Sequence, residues 1–304
     1  MRRTLALAVV LCLASAAFAD EDENAAETPH DEPAINLSSL RGLTGMREMI
    51  DARTPTGMWH IRAGAYFQYS QSSIDYSGDI RDFERERWEL TSFVGASFVD
   101  HIEVGFHWPF PQIEHTSNKL HAVNAPVPDP WPSVHESYTD GGGGNFSFAA
   151  KAGWTFGPVS LAAYAVGQPS TGARTMAHKE DSFGELGGAA TVSLAKGLFT
   201  IHANAAAVEL ATRDLHWYMR YRTGFAVAIA RSEAVVVRTF LYGEGFAHEA
   251  GFHSEYRLGG GVQALLLEHL QLEITGDGRL VALLPAQLSD AGTFEVAFLA
   301  GFVY

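Results

Sequence analysis

The chain has 304 residues, 47% of them hydrophobic and 12% aromatic, with 30 glycines and a formal charge of -14. That is enough apolar material for one large β-domain, and the acidity argues against a nucleic-acid partner. Past the N-terminal apolar stretch there is no uninterrupted apolar run of about 18 residues, which excludes a helical membrane span.

Arg2 and Arg3, the apolar run from Leu5 to Ala14, and Ala17-Phe18-Ala19 give the basic, apolar and small-residue zones of a secretory signal peptide, with cleavage expected after Ala19. Cys12, the only cysteine, sits in the apolar run behind Leu11, where a lipoprotein site would need a small residue. The expected mature chain therefore has no thiol and no disulfide. Removing Arg2 and Arg3 from 21 basic residues leaves 19 against 35 acidic ones, a mature charge of 19 - 35 = -16. Residues 20–32 carry seven carboxylates and read as a solvated, disordered leader. Residues 37–58 hold glycines and a proline and show no sustained period. Their simplest reading is a lead-in to the first strand; the alternatives are that they lie under the following domain or enter it as a small plug.

From residue 58 onward, apolar and polar residues alternate with period two. The first strand, 58–70, places Trp59, Ile61, Ala63, Ala65, Phe67 and Tyr69 on one face and His60, Arg62, Gln68 and Ser70 on the other. The same separation recurs over 86–98, 102–112, 144–156, 159–167, 183–195, 198–209, 216–230, 234–245, 255–267, 270–281 and 293–304, twelve strands in all. Connections alternate in length: 99–101, 157–158, 196–197, 231–233 and 268–269 are short, and 71–85 and 113–143 are among the long ones between them. Five of the six tryptophans, Trp59, Trp88, Trp108, Trp154 and Trp217, fall on apolar faces near strand ends, and Trp131 lies in a connection. That is the pattern of interfacial aromatic girdles.

The last strand, TFEVAFLAGFVY, puts Phe294, Val296, Phe298, Ala300, Phe302 and Tyr304 on one side. An open edge beside exposed aromatics invites aggregation, and closing the sheet removes it. With the aromatic side outward, the surroundings are lipid, so the expected fold is all-β, a closed antiparallel up-and-down transmembrane β-barrel over 58–304. This resembles the Gram-negative bacterial outer-membrane β-barrels, whose last strand typically ends on an aromatic residue after alternating hydrophobic positions. The resemblance implies that Phe298, Phe302 and Tyr304 belong to an insertion signal read by the barrel-assembly machinery. The long and short connections imply an outer-membrane location with both termini periplasmic.

In this register Arg62, Glu89, Glu103, Lys151, Arg220, Arg222, Arg238, Glu244, Arg257 and Glu273 all point inward, away from lipid, where a midplane charge costs about 2–4 kcal/mol. Arg220, Arg222, Arg238 and Arg257, with Glu244 among them, form a stripe on adjacent strands; Arg62, Glu89, Glu103, Lys151 and Glu273 are expected on the opposite lumen wall. Two readings follow. The stripe guides small anionic solutes through a narrow porin-like pore by focusing the field, or ion pairs fill the lumen of a non-transporting envelope scaffold or partner-binding barrel. The connection 113–143 contains His115, His121, His135, Asp129, Glu136 and Asp140, but their spacing matches no compact metal site and four prolines stiffen its middle. No metal or cofactor is expected. Hydrolysis would need Ser254 beside His253, or His216 with Asp214, and neither pair has a recognisable third, orienting group, so an enzyme is not expected.

Overall fold

The structure is a computed structural model, and it describes residues 37–39, 41, 43, 45–47, 49–55, 59–75, 81–120, 135–171, 182–194, 197–211, 216–232, 234–248, 255–282 and 290–304. The expected signal peptide and acidic leader lie outside these residues. Twelve antiparallel strands form one sheet: β1 His60–Asp75, β2 Arg81–Val99, β3 Ile102–Leu120, β4 in two pieces His135–Gly142 and Ser147–Phe156, β5 Val159–Gln168, β6 Ser182–Leu194, β7 Phe199–Ala211, β8 His216–Arg231, β9 Val235–His248, β10 Glu255–Leu266, β11 Leu270–Ala282 and β12 Asp290–Val303. Each strand pairs with its sequence neighbours, and β12 pairs with β1 to close the ring, with Phe298 opposite Phe67 and Phe302 opposite Ala63. At the seam Ile61 N donates to Tyr304 O and Tyr304 N to Ile61 O, both at 2.7 Å. No strand edge is left open along the seam, as a lipid environment requires.

The outer face is the apolar one. Leu161, Ile201, Leu241, Leu258, Leu272 and Phe298 are exposed on the isolated chain and form its lipid-facing band. Aromatic side chains collect at both ends of the ring. Near the short turns Trp59 meets Phe98 edge-on at 5.4 Å and Trp154 stacks on His101. Near the long connections Trp88 packs on Phe67 and Tyr69, and Trp108 stacks on Phe110 at 5.1 Å. Trp131 and the side chain of Trp217 lie outside the described residues.

Four of the expected boundaries move furthest. β1 runs on to Asp75, β2 starts at Arg81, β3 reaches Leu120 and β4 begins at His135, so much of the expected connections 71–85 and 113–143 is strand. Past the lipid band both faces turn polar, and the apolar alternation that marks a strand fades while the backbone ladder continues. A register shift opposite Leu90, between the pairs Glu89↔Gln112 and Thr91↔Pro109, also inverts the parity of β3. Val104 and Phe106 share the outward parity with Trp108 and Phe110; beyond the shift Gln112, Glu114 and Thr116 are buried and Ile113 and His115 are exposed. Prolines at 109 and 111 sit at this shift, where a strand tolerates them.

Ala203 lies mid-strand on the outer face, opposite Thr223 of β8. Ala203→Arg should destabilise the barrel by about 2–4 kcal/mol, measured by reversible denaturant unfolding in lipid vesicles. An unchanged midpoint would contradict the assignment of this face to lipid.

Candidate functional site: the lumen and its inner segment

The ring is not empty. Residues 37–55 enter at the short-turn end, where Leu37 packs with Val236, Leu265 and Val303, and fold into a small hairpin that pairs Gly45 with Ile50 and Met46 with Met49. A segment this short satisfies few of its own backbone groups, and buried ones must find partners. Wall side chains supply them. Gln271 accepts from Ser38 N at 2.8 Å and donates to Ser38 O at 3.0 Å. Asn204 does the same for Ile50, at 2.9 and 2.8 Å. Thr191 Oγ1 accepts from Ala52 N, Arg238 donates to Gly45 O, and Lys151 Nζ donates to the carbonyls of Asp51 and Arg53 at 2.8 and 2.7 Å.

Apolar contacts fix the orientation. Leu43 and Ile50 join a cluster with Ala149, Ala162 and Tyr164, and Met46 and Met49 join one with Ala226 and Phe240. Two wall glycines make room for the segment. A Cβ at Gly224 would lie 2.1 Å from Met49 Cε, and one at Gly153 would lie 2.4 Å from Ala52 O. Glycine in a strand interior marks such a close approach.

The inward charges form several clusters. Arg62 and Lys151 both hold Glu103, at 2.8 and 2.6 Å, with all three side chains fully buried. Glu89 accepts from Gln68, Arg87, Thr91 and Gln112 in a second group. Arg238 Nε donates to Gln263 Oε1 at 2.6 Å, and Gln263 Nε2 donates to Glu273. Glu273 therefore belongs to the wall that carries Arg238, not to the one across from it. Nearer the long connections, Glu185 is held by Arg41 at 3.0 Å and Arg220 at 3.1 Å, with Arg222 at 3.7 Å, while Glu244 is held by Arg222 at 2.8 Å and Arg220 at 3.3 Å. The four stripe arginines thus do not act as one bare positive surface. Arg220 and Arg222 share carboxylates, Arg238 lies lower against the inner segment, and Arg257 pairs in register with Glu244. Phe298, Phe302 and Tyr304 are exposed on the outer face.

Sequence reasoning missed the inner segment's share of this network: Arg41, Arg47, Asp51 and Arg53, of which Arg47 reaches Glu295 and Asp51 pairs with Arg53 at 2.7 Å. Three arginines in a non-periodic stretch ahead of a carboxylate-lined wall were the available signal. Above the segment is a cavity of about 230 Å³, lined among others by Arg41, Arg47, Arg220, Arg257, Glu244 and Asp277. In the former loop 113–143, His115 Nδ1 lies 2.9 Å from Thr139 Oγ1, while His121 and Asp129 are outside the described residues. Among the described residues no three metal-binding side chains gather. The side chains of Ser254, His253, His216 and Asp214 also lie outside the described residues.

Burial alone would raise the Asp51 carboxyl, but Arg53, His202 and Lys151 more than reverse this and hold it well below the usual carboxylate range. Its folded value lies below the unfolded one of about 3.9. Asp51 therefore contributes stability that is fully present above the unfolded value and is lost as pH falls through it towards the folded one. Protection factors of the Ile50 and Ala52 amides should drop as pH is lowered from about 5 to 2, and Asp51→Asn should flatten that dependence. Equal protection across the range in the unsubstituted chain would refute the coupling.

No protein-family model matches the chain, and no curated protein does. Among solved structures, an outer-membrane channel from Pseudomonas putida F1 superposes with a TM-score of 0.55 at 10% identity, over 84% of this chain and 98% of that one. The translocator domain of the autotransporter NalP from Neisseria meningitidis gives a TM-score of 0.48 at 11% identity, over 83% and 90% of the two chains. At such identities the likeness concerns the fold. The closed twelve-strand ring, its apolar outer band and its aromatic girdles together give this chain the fold of a transmembrane β-barrel, the fold it shares with that outer-membrane channel.

Proposed function

We propose that the protein is a narrow outer-membrane channel, closed at rest by its own segment 37–55 and opened when that segment leaves the ring. The observation that carries this reading is how the segment is held: its main chain is bound by wall side chains such as Gln271, Asn204, Thr191 and Lys151, and its bulk is admitted by Gly153 and Gly224. Polar contacts of this kind can be exchanged for water once the segment withdraws, whereas a wall closed by continuous apolar packing has no such substitute. In this reading the short-turn end faces the periplasm, residues 20–57 form the leader and plug, and Phe298, Phe302 and Tyr304 serve the barrel-assembly machinery.

The solutes are small, with a preference for anions. Among the described residues, four arginines line the cavity above the plug (Arg41, Arg47, Arg220, Arg257) against three carboxylates (Glu244, Asp277, Glu295), a balance of 4 - 3 = +1. The second reading is a scaffold whose lumen stays filled. The fully buried Arg62–Glu103–Lys151 group favours it, because buried ion pairs resist rearrangement.

Planar-bilayer recording separates the two. Deleting residues 37–55 should raise conductance well above the resting level. Gly224→Val should overpack the Met49 notch by about 1–3 kcal/mol, shifting the population towards the open state by roughly 5- to 150-fold. If both variants fold, insert and remain as silent as the parent, the barrel is a scaffold.

A further inference from the structure

We infer that the cavity above the inner segment binds a small carboxylate that also carries a hydrogen-bond donor next to it, an α-hydroxy or α-amino acid. The inference rests on the channel reading for the ligand's route to the cavity, and deepens it by naming the ligand's chemistry.

Size comes first. At about 30 Å³ of liquid volume per water, a cavity of about 230 Å³ has room for roughly seven waters, or an organic acid of a few carbons. Its charge is uneven. On the β6, β8 and β9 side, among the described residues, three guanidiniums, Arg41, Arg220 and Arg222, surround two carboxylates, Glu185 and Glu244. Arg220 is the more accessible of the two wall arginines, its side chain 17% exposed against 1% for Arg222, and it lies over the Phe246 ring at 5.0 Å. A planar guanidinium held in this way is a ready partner for a carboxylate.

On the β11 side stands Asp277, more than nine-tenths buried. Its Oδ2 accepts from Tyr242 Oη at 2.9 Å and lies 3.9 Å from Arg47 Nε, while its Oδ1 has no hydrogen-bond partner among the described residues. A buried carboxylate oxygen in that state requires a donor. A plain anion satisfies the arginine side and is repelled by Asp277 and Glu295. A molecule with a carboxylate at one end and a hydroxyl or ammonium beside it satisfies both sides at once.

The test is calorimetric titration of the folded barrel in detergent micelles with three probes of equal carbon count: propionate, lactate and alanine. Lactate, alanine or both should bind about tenfold more tightly than propionate, the usual worth of one hydrogen bond to a charged group. Arg220→Gln should weaken binding by about tenfold or more while the protein keeps its heat-modifiable gel mobility. Asp277→Asn distinguishes the two ligand types: it should abolish an advantage of alanine, which depends on charge, and leave one of lactate, which an amide oxygen can still accept. Equal binding of all three probes, no saturable heat with any of them, or unchanged affinity in folded Arg220→Gln would overturn the site. Because calorimetry reads occupancy without current, binding in a barrel that never conducts would sink the channel and keep the site, and conductance without binding would do the reverse.

Discussion

In hydrocarbon a backbone N–H or C=O without a partner costs several kcal/mol, so a chain that crosses a membrane as strands must pair every one of them around a closed ring. The seam between β1 and β12 is where that condition is met or lost here, and it is met down to the last residue, Tyr304. The same requirement operates inside. Once residues 37–55 are taken into the ring, their peptide groups leave water, and the amides of Gln271 and Asn204 act for them as neighbouring strands would. One condition thus shapes both the wall and what the wall contains.

Much of the wall was legible because period two carries its own check. A strand read one residue out of step would have turned Arg62, Lys151 or Arg222 towards lipid, and all three are buried within the ring. Legibility ended where that contrast ended. Beyond the lipid band, Ser72 and Ser73 on β1 and Arg85 and Glu84 on β2 still pair across the ladder, but no apolar face remains to mark them as strand. Where β3 shifts register beyond Phe110, the pattern inverts, and a reading by parity stops at Gln112 although the strand does not.

The inner segment was harder to read because nothing local determines it. Its hairpin is two residues a side, and its partners stand 139 residues away at Thr191, 154 at Asn204 and 233 at Gln271. Inward direction could be read for each charged wall residue, but pairing could not. Which carboxylate meets which arginine depends on the stagger of neighbouring strands and on Arg41, Arg47 and Arg53, which come from a stretch with no period at all. Arg220, Arg222, Arg238 and Arg257 are accordingly divided among different partners.

Whether the barrel conducts, and what its cavity holds, both turn on the position of residues 37–55. The most direct measurement is the reaction of a cysteine at position 49, introduced by Met49→Cys, with a bulky membrane-impermeant maleimide in the folded, signal-free protein. Met49 is 2% exposed, in the notch at Gly224, so labelling should be far slower than at an exposed turn position such as Ser232→Cys. Equal labelling rates at the two positions would mean that the segment does not occupy the lumen.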